Sequence, residues 1–179
     1  FILFSDCHRG DNSFADDFAN NRNIYFHALK QYYNQGFHYV ELGDGDELWE
    51  NLHFKSLFEA HKNVYQLLAK FHREKRLHMI WGNHDMVYKN PEYVQKHLST
   101  YFDPVDGEDK ALFPGLEYSE ALVLNDRRLV HVVQADRQCC RVAQTTQIGH
   151  LDVRRERRRG LEVELRGIRN RQQSSRRID

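Results

Sequence analysis

Three short segments of the chain are rich in side chains that bind divalent metals. They are "DCH" at residues 6–8, "GDGDE" at 43–47 and "GNHD" at 82–85. An Asp-x-His triplet arises easily by chance in a chain with eleven His, whereas Gly-Asn-His-Asp is far rarer. The segments are regularly spaced, with 38 residues from Asp6 to Asp44 and 39 from Asp44 to Asn83. Carboxylate, imidazole and amide groups in this order indicate a site for Mn, Fe, Zn or Mg.

Each of these segments follows an apolar stretch that is typical of a buried strand. The stretches are residues 1–4, 37–42 and 77–81, and helical periodicity separates them at residues 23–35 and 56–75. Alternating strands and helices predict an α/β domain with a parallel sheet. Because ligands bind outside the carboxyl ends of parallel strands, we expect the three segments to converge on one edge of that sheet.

Two further elements follow the third segment. Asn90-Pro91 has the order of a helix cap and a first helical residue, and predicts a helix that runs to about Tyr101. Residues 118–133 alternate in a way that predicts a β-hairpin turning near Asn125-Asp126.

In this order the motifs resemble those of the calcineurin-like metallophosphoesterases. The pattern of that family is D-x-H, GD-x-x-D/E, GNH-D/E, a strand that ends in a histidine motif, and GH-x-H. The stretch "GDGDELWE" is similar to the branch that includes the UDP-diacylglucosamine pyrophosphatase type. The resemblance covers about residues 1–134. It implies an α/β fold with a layered metallophosphoesterase-like β-sheet core flanked by helices, here incomplete at both ends.

The resemblance also implies two divalent metal ions and assigns their ligands. Asp6 and His8 would bind the first metal, Asp44 would bridge both metals, and Asn83 would bind the second. A pair of cations about 3.5–4 Å apart can generate hydroxide as the nucleophile and neutralise phosphoryl oxygens. In the fourth motif, "RLVHVVQAD" at 128–136, His131 would be a further ligand of the second metal. It could equally be a plain strand residue, because a valine occupies the position of the glycine of the family.

Two residues of the third motif are the predicted catalytic groups. His84 would donate a proton to the leaving alkoxide, and Asp85 would either orient His84 or cap the next segment. The neighbouring polar residues are weaker candidates: Asp46 and Glu47 are interpreted as solvent-facing or outer groups, Trp49 as packing, and Arg9 and His53 as solvated charges. The fifth motif is represented by "GHLD" at 149–152 alone, which we interpret as a coincidence.

The composition changes sharply along the chain. The 179 residues carry a formal net charge of zero, but residues 127–179 hold fourteen Arg and no Lys, and no aromatic residue follows Tyr118. We therefore predict a core at 1–136 and an Arg-rich, low-complexity tail at 137–179, poorly ordered or non-native. Three explanations of the tail remain open: a basic nucleic-acid-binding arm, a solvated helix, or a chain read out of frame, which we favour. Because Phe1 lies within an apolar run, we also expect the sequence to be a fragment.

The predicted function is hydrolysis of a phosphomonoester, phosphodiester or pyrophosphate by metal-bound hydroxide, with His84 as general acid. The expected substrate is a phosphorylated small molecule, a nucleotide or a lipid. The alternative is a non-catalytic metal-binding or interaction module on the same fold, inactive because the last ligand motif is missing. Balanced charge makes a nucleic-acid partner unlikely, and the absence of a long apolar run predicts a cytoplasmic protein without a membrane span.

Overall fold

The computed structural model describes residues 1–126 and 129–134, with side chains described as far as Leu122. In chain order the elements are β1 (Ile2–Phe4), α1 (Arg22–Asn34), β2 (Tyr39–Leu42), α2 (Phe54–Ala60), α3 (Lys62–Arg73), β3 (Leu77–Ile80), a 3-10 helix (Met86–Lys89), α4 (Pro91–Leu98), β4 (Thr100–Asp103), β5 (Glu108–Ala111), β6 (Tyr118–Ser119), β7 (Ala121–Asp126) and β8 (Leu129–Gln134). Among the described residues, no helix is long and apolar enough to cross a membrane.

A four-stranded parallel sheet organises the fold and confirms the predicted α/β class. Its strand order is β1-β2-β3-β6, and every neighbouring pair in it is parallel. The register aligns Ile2 with Tyr39 and Tyr39 with Leu77, so the first three strands start together, and β1 ends one position before β2 and β3. All four residues of β2 are buried, as expected for the central strand of a sheet covered on both faces.

Helices α1 and α3 pack against each other, and α3 also packs against β3. The apolar stripe predicted for this region forms the inner face of α3, where Val64, Leu67, Leu68 and Phe71 are buried. On α1 the corresponding buried residues include Leu29. These side chains make one continuous core with the sheet.

The single helix predicted at 56–75 is wrong, because the chain breaks into α2 and α3 at His61. His61 has φ −124° and ψ 33°, outside the helical region, and its side chain is completely buried. Its Nε2 lies 2.8 Å from Asp16 Oδ2, a contact across 45 residues of sequence. The break in the helix directs this imidazole inward against Asp16. The local periodicity, which favours one continuous helix, does not predict the break.

The helix predicted after Asn90-Pro91 is present as α4, but it is shorter than predicted. Asn90 caps α4 as expected, since its side chain accepts a hydrogen bond from the amide of Glu92 at 2.9 Å. The helix ends at Leu98, three residues earlier than predicted, because the Leu98 and Ser99 carbonyls accept hydrogen bonds from the segment that follows β5.

The hairpin predicted at 118–133 is formed by β7 and β8, which pair in antiparallel register. Its first two predicted residues, Tyr118 and Ser119, instead form β6 of the parallel sheet. Asn125 and Asp126, where the turn was predicted, are instead strand residues, and Asp126 pairs with Leu129. Residues 127 and 128 lie outside the described residues. The predicted tail at 137–179, and with it "GHLD" at 149–152, lies outside the described residues.

Candidate metal centre

The three segments that carry the candidate metal ligands meet at the carboxyl edge of the parallel sheet, where hydrogen bonds from backbone amides join them. The amides of Asp6 and His8 donate to the carbonyls of Gly43 and Asp44, at 3.2 and 3.0 Å. The amide of His84 donates to Asp44 Oδ1 at 2.7 Å, which attaches the third loop to the second. The convergence expected from the spacing of the motifs is therefore present in the fold.

Asp6, His8 and Asp44 form the first candidate ligand group. Each offers one ligand atom, and these atoms lie within 4.8 Å of one another. Asp44 is buried, whereas the side chains of Asp6 and His8 are 45% and 27% exposed, so the group opens to solvent on one side. Two carboxylates and one imidazole are a donor set that suits Zn, Mn or Fe, and the three residues fit a divalent cation on that chemistry.

The same three residues have strained backbone conformations. Asp6, His8 and Asp44 have φ values of 52°, 46° and 51°, which place them in the left-handed region. They are three of the five non-glycine residues with positive φ in the described part of the chain. Such residues cost about 1–3 kcal/mol each and persist where the surroundings over-determine them, as at functional sites.

A second group shares His8 with the first and adds Glu47 and His84. Glu47 Oε2 lies 3.0 Å from His8 Nδ1 and 2.6 Å from His84 Nδ1, so one carboxylate oxygen contacts both rings. Nε2 of His8 is directed instead to Asp6, at 4.0 Å from Oδ1. One nitrogen of His8 thus faces the first ligand group while the other is held by a carboxylate, an arrangement that fixes the tautomer of metal-binding histidines.

Glu47 is an anion well matched to this position. Burial opposes its charge, but hydrogen bonds from His8, from the amide of Trp49 and from His84 together lower the pKa of Glu47 below its usual value. Our interpretation of Glu47 as an outer or solvent-facing group therefore missed its contact with both histidines.

Trp49, interpreted as a packing residue, packs against the ring of His84 and not into the core. The two rings stack with centroids 4.0 Å apart, and Trp49 is 64% exposed. Asn83, the predicted ligand of a second metal, is half-buried and lines a cavity of about 200 Å³ together with Trp49 and Met86. His131 lies on β8, and its side chain is outside the described residues.

Asp85 contacts backbone amides of two loops. Its Oδ2 accepts hydrogen bonds from Gly45 at 2.9 Å and Asp46 at 3.4 Å, and its Oδ1 accepts from Gly82 at 2.5 Å. Burial raises the pKa of Asp85 to about 7, against the effect of the Gly82 hydrogen bond. Of the two predicted roles, orienting His84 falls to Glu47, and Asp85 instead ties the second and third loops together.

Close packing of the same two loops explains the glycine of the third motif. A Cβ atom added at Gly82 would collide with Asp44 Oδ1 and with the Asp44 amide. Gly82 therefore allows Asp44 to reach the position in which it accepts the His84 amide.

A buried polar network lies beneath the loops and centres on Arg9, which is 1% exposed. Its Nε donates to Asp46 Oδ1 at 2.7 Å and its Nη2 to Glu41 Oε2 at 2.9 Å. The hydroxyl groups of Tyr65 and Tyr88 also donate to Asp46, at 2.7 and 2.6 Å. The interpretation of Arg9 as a solvated charge was therefore wrong.

The two residues that sequence reasoning undervalued, Glu47 and Arg9, differ in the signal they offered. Glu47 stands three positions after Asp44, and the GD-x-x-E spacing could have identified it. The burial of Arg9 depends on acidic partners 32 and 37 residues away, for which the local sequence gives no signal.

The comparisons with known proteins supply no relative for this chain. No family model matches it. No curated protein matches it, and no solved structure does. The class of the protein therefore has to be argued from its own residues.

Proposed function

We propose that this chain is a metal-dependent phosphoester hydrolase of the calcineurin-like metallophosphoesterase type. Its parallel sheet and flanking helices would form part of the layered core of that family. The reaction is hydrolysis of a phosphomonoester, a phosphodiester or a pyrophosphate. The observation that carries the proposal is the meeting of Asp6, His8 and Asp44 from two separate loops, with His84 from a third loop beside them.

The donor set supports binding of at least one divalent cation by Asp6, His8 and Asp44. A divalent pair, when bound, lowers the pKa of water and neutralises the charge of phosphoryl oxygens. The second cation of the proposal would share Asp44 and use Asn83 and His131. Mn, Fe, Zn and Mg are all compatible with oxygen and imidazole donors.

His84 is the proposed proton donor. Its Nδ1 is 2.6 Å from Glu47, which leaves Nε2 as the nitrogen that can give a proton to a leaving oxygen. Glu47 and Trp49 fix the ring from its edge and its face, so the donor keeps one orientation.

A second function, metal binding without turnover, is favoured by one observation. His8, Glu47 and His84 themselves form a group whose ligand atoms lie within 4.8 Å. A cation held by these three residues would occupy the proposed proton donor. The chain would then be a metal-binding or interaction module built on the same sheet.

The proposed substrate is a phosphorylated small molecule, a nucleotide or a lipid, and the proposed location is the cytoplasm. The candidate metal ligands address the phosphoryl group, and recognition of the organic part of a substrate depends on surfaces beyond them.

The test combines metal content and turnover. The protein is loaded with manganese and desalted, and its metal is counted by elemental mass spectrometry before hydrolysis of an aryl phosphodiester is measured. We expect Asp44→Asn to lose bound metal, while Asp109→Asn, on the exposed strand β5, keeps it. We expect His84→Ala to retain metal and lose turnover, while His27→Ala, on the exposed side of α1, retains both.

The outcomes separate the two functions. Metal retention with equal turnover in His84→Ala and His27→Ala would reject the hydrolase mechanism. Loss of metal in His84→Ala without turnover in the parent protein would support the binding module. An Asp44→Asn variant that binds as much manganese as Asp109→Asn would reject the hydrolase, whose cation is held by Asp6, His8 and Asp44. If His84→Ala also kept its manganese, the binding module would be rejected with it.

A further inference from the structure

A large cavity lies away from the metal centre, between α2, the start of α3, the end of α4 and strand β4. Its volume is about 530 Å³, within the range of about 300–1,000 Å³ that small-molecule sites occupy. Within the described part of the chain, it shares no residue with either metal-ligating group. The residues that line the cavity therefore determine which ligand it can bind.

The floor of the cavity is aromatic. Phe54 and Phe58 of α2 are buried there, and the Phe58 ring lies 4.8 Å from the ring of Tyr101. Phe102 also lines the cavity and remains 60% exposed. A large aromatic side chain left in contact with water at a concave surface is a feature of ligand sites, because ligand binding is what removes that surface from water.

The rim of the cavity is cationic. Lys55, Lys62 and Lys96 come from three different helices, and Glu59 is the one acidic residue among those that line the cavity. The pair of Lys55 with Glu59 is 3.8 Å long and exposed on both sides, so it contributes little.

Lys62 is also weakly engaged. Its Nζ lies 3.7 Å from Asp103 Oδ1, but that carboxylate has a shorter contact of 3.0 Å with Lys110. Lys62 Nζ also lies 5.4 Å from the centre of the Tyr101 ring, at the junction of the rim with the aromatic floor. An anionic group placed there would meet a cation directly above an apolar surface.

We propose that this cavity binds a small organic anion with an apolar body. The anionic group pairs with Lys62 and Lys96, and the apolar body covers Phe58 and Phe102. The concave shape favours a small molecule over a flat protein surface, and the charge of the rim selects a phosphate, sulfonate or carboxylate over a neutral or cationic head group. The proposal is independent of the function of the metal centre.

The test is isothermal titration calorimetry of the full chain with naphthalenesulfonate, in the presence of chelator so that the metal centre binds no anion. Naphthalenesulfonamide has nearly the same shape without the charge. We expect the sulfonate to bind about tenfold more tightly than the sulfonamide, the factor that one well-placed charge contact provides.

Matched variants locate the site. We expect Lys62→Glu and Lys96→Glu each to weaken sulfonate binding about tenfold or more, while Lys30→Glu, which changes the net charge equally on exposed α1, has no effect. We expect Phe102→Ser to weaken binding of both compounds, while Phe14→Ser, at a fully exposed phenylalanine elsewhere, does not. Phe102 and Lys96 are exposed and the Lys62 side chain is 37% exposed, so near-parent thermal midpoints should accompany these results.

Three results would overturn the proposal. They are equal affinities for the sulfonate and the sulfonamide, equal affinities of the Lys62→Glu and Lys30→Glu variants, and binding to anionic phospholipid vesicles without binding of the monomeric sulfonate. The last result would assign the lysines to a membrane surface.

Discussion

Replacing Arg9 with methionine should destabilise the protein more than any surface substitution. Methionine keeps the length of the side chain and removes its charge. The guanidinium group is 1% exposed and contacts Glu41 at 2.9 Å and Asp46 at 2.7 Å, so both carboxylates would lose a buried cation. Asp46 would keep its hydrogen bonds from Tyr65 and Tyr88, whereas Glu41 would lose its charged partner.

The expected loss is about 3–5 kcal/mol of the free energy of unfolding, the usual effect of breaking a buried ion pair on one side. It is large because the remaining charge stays buried without compensation. Removing the charge of Glu41 as well should restore most of the stability, so we expect Arg9→Met/Glu41→Gln to be more stable than Arg9→Met alone.

The loss should also depend on pH. Burial raises the pKa of Glu41 above its usual value, and Arg9 opposes that rise in the parent protein. Without Arg9 the pKa of Glu41 in the folded state rises further above its value in the unfolded state. The folded variant then binds a proton more tightly than the unfolded chain, and it regains stability as the pH falls through the raised pKa.

Urea denaturation at pH 8 and pH 5 measures both effects. The difference between Arg9→Met and the parent protein should be larger at pH 8 than at pH 5, and the double variant should show little of this pH dependence. A loss below about 1 kcal/mol, or a double variant less stable than the single one, would refute the assignment of Arg9 as the counter-ion of Glu41.

Two further substitutions test the loops and the sheet. Gly82→Ala should displace Asp44 and abolish manganese binding, measured after desalting. The control Gly107→Ala adds a Cβ in open space at a φ of 71°, so it should lose about 1 kcal/mol of stability and keep the metal. Equal metal content in the two variants would contradict the steric argument. Burial lowers the pKa of His78 to about 4, below its unfolded value of 6.5, so the unfolded chain takes up the proton first as the pH falls. The free energy of unfolding should therefore fall by about 1–2 kcal/mol from pH 7 to pH 4. His78→Gln should show a shallower fall in urea titrations. Parallel pH curves for the two proteins would exclude His78 as the titrating group.

The elements that the sequence predicts well are those whose causes are local. Strand β3 and its glycine-bounded end depend on an apolar run and on turn residues beside it, and α4 depends on Asn90-Pro91. The helix break at His61 escapes prediction because it depends on Asp16, which lies 45 residues earlier and joins the same core only in the folded chain. Local periodicity carries no information about that partner.

The same distinction applies to the candidate metal centre. Asp6, His8 and Asp44 are predictable because their motifs stand at the ends of successive strands, and the sheet register brings such ends together. Glu47 contacts both His8 and His84 because of the path that its loop takes. The spacing of the motifs does not predict that path.

The strain at the ligands and the network beneath them are parts of one arrangement. The three residues with positive φ each cost about 1–3 kcal/mol in backbone strain. Contacts outside the loops must offset that cost. Arg9 lies directly after His8, its peptide pairs with that of Asp46, and its carbonyl accepts the amide of Glu47. Arg9 thus holds the chain directly after His8, and Asp85 holds the chain directly after Asp44. Because the ligand atoms already lie within 4.8 Å of one another in the folded chain, a cation would not have to order these loops in order to bind. Loss of the Arg9 network should therefore weaken metal binding as well as stability, although no atom of the Arg9 side chain belongs to the proposed ligand set.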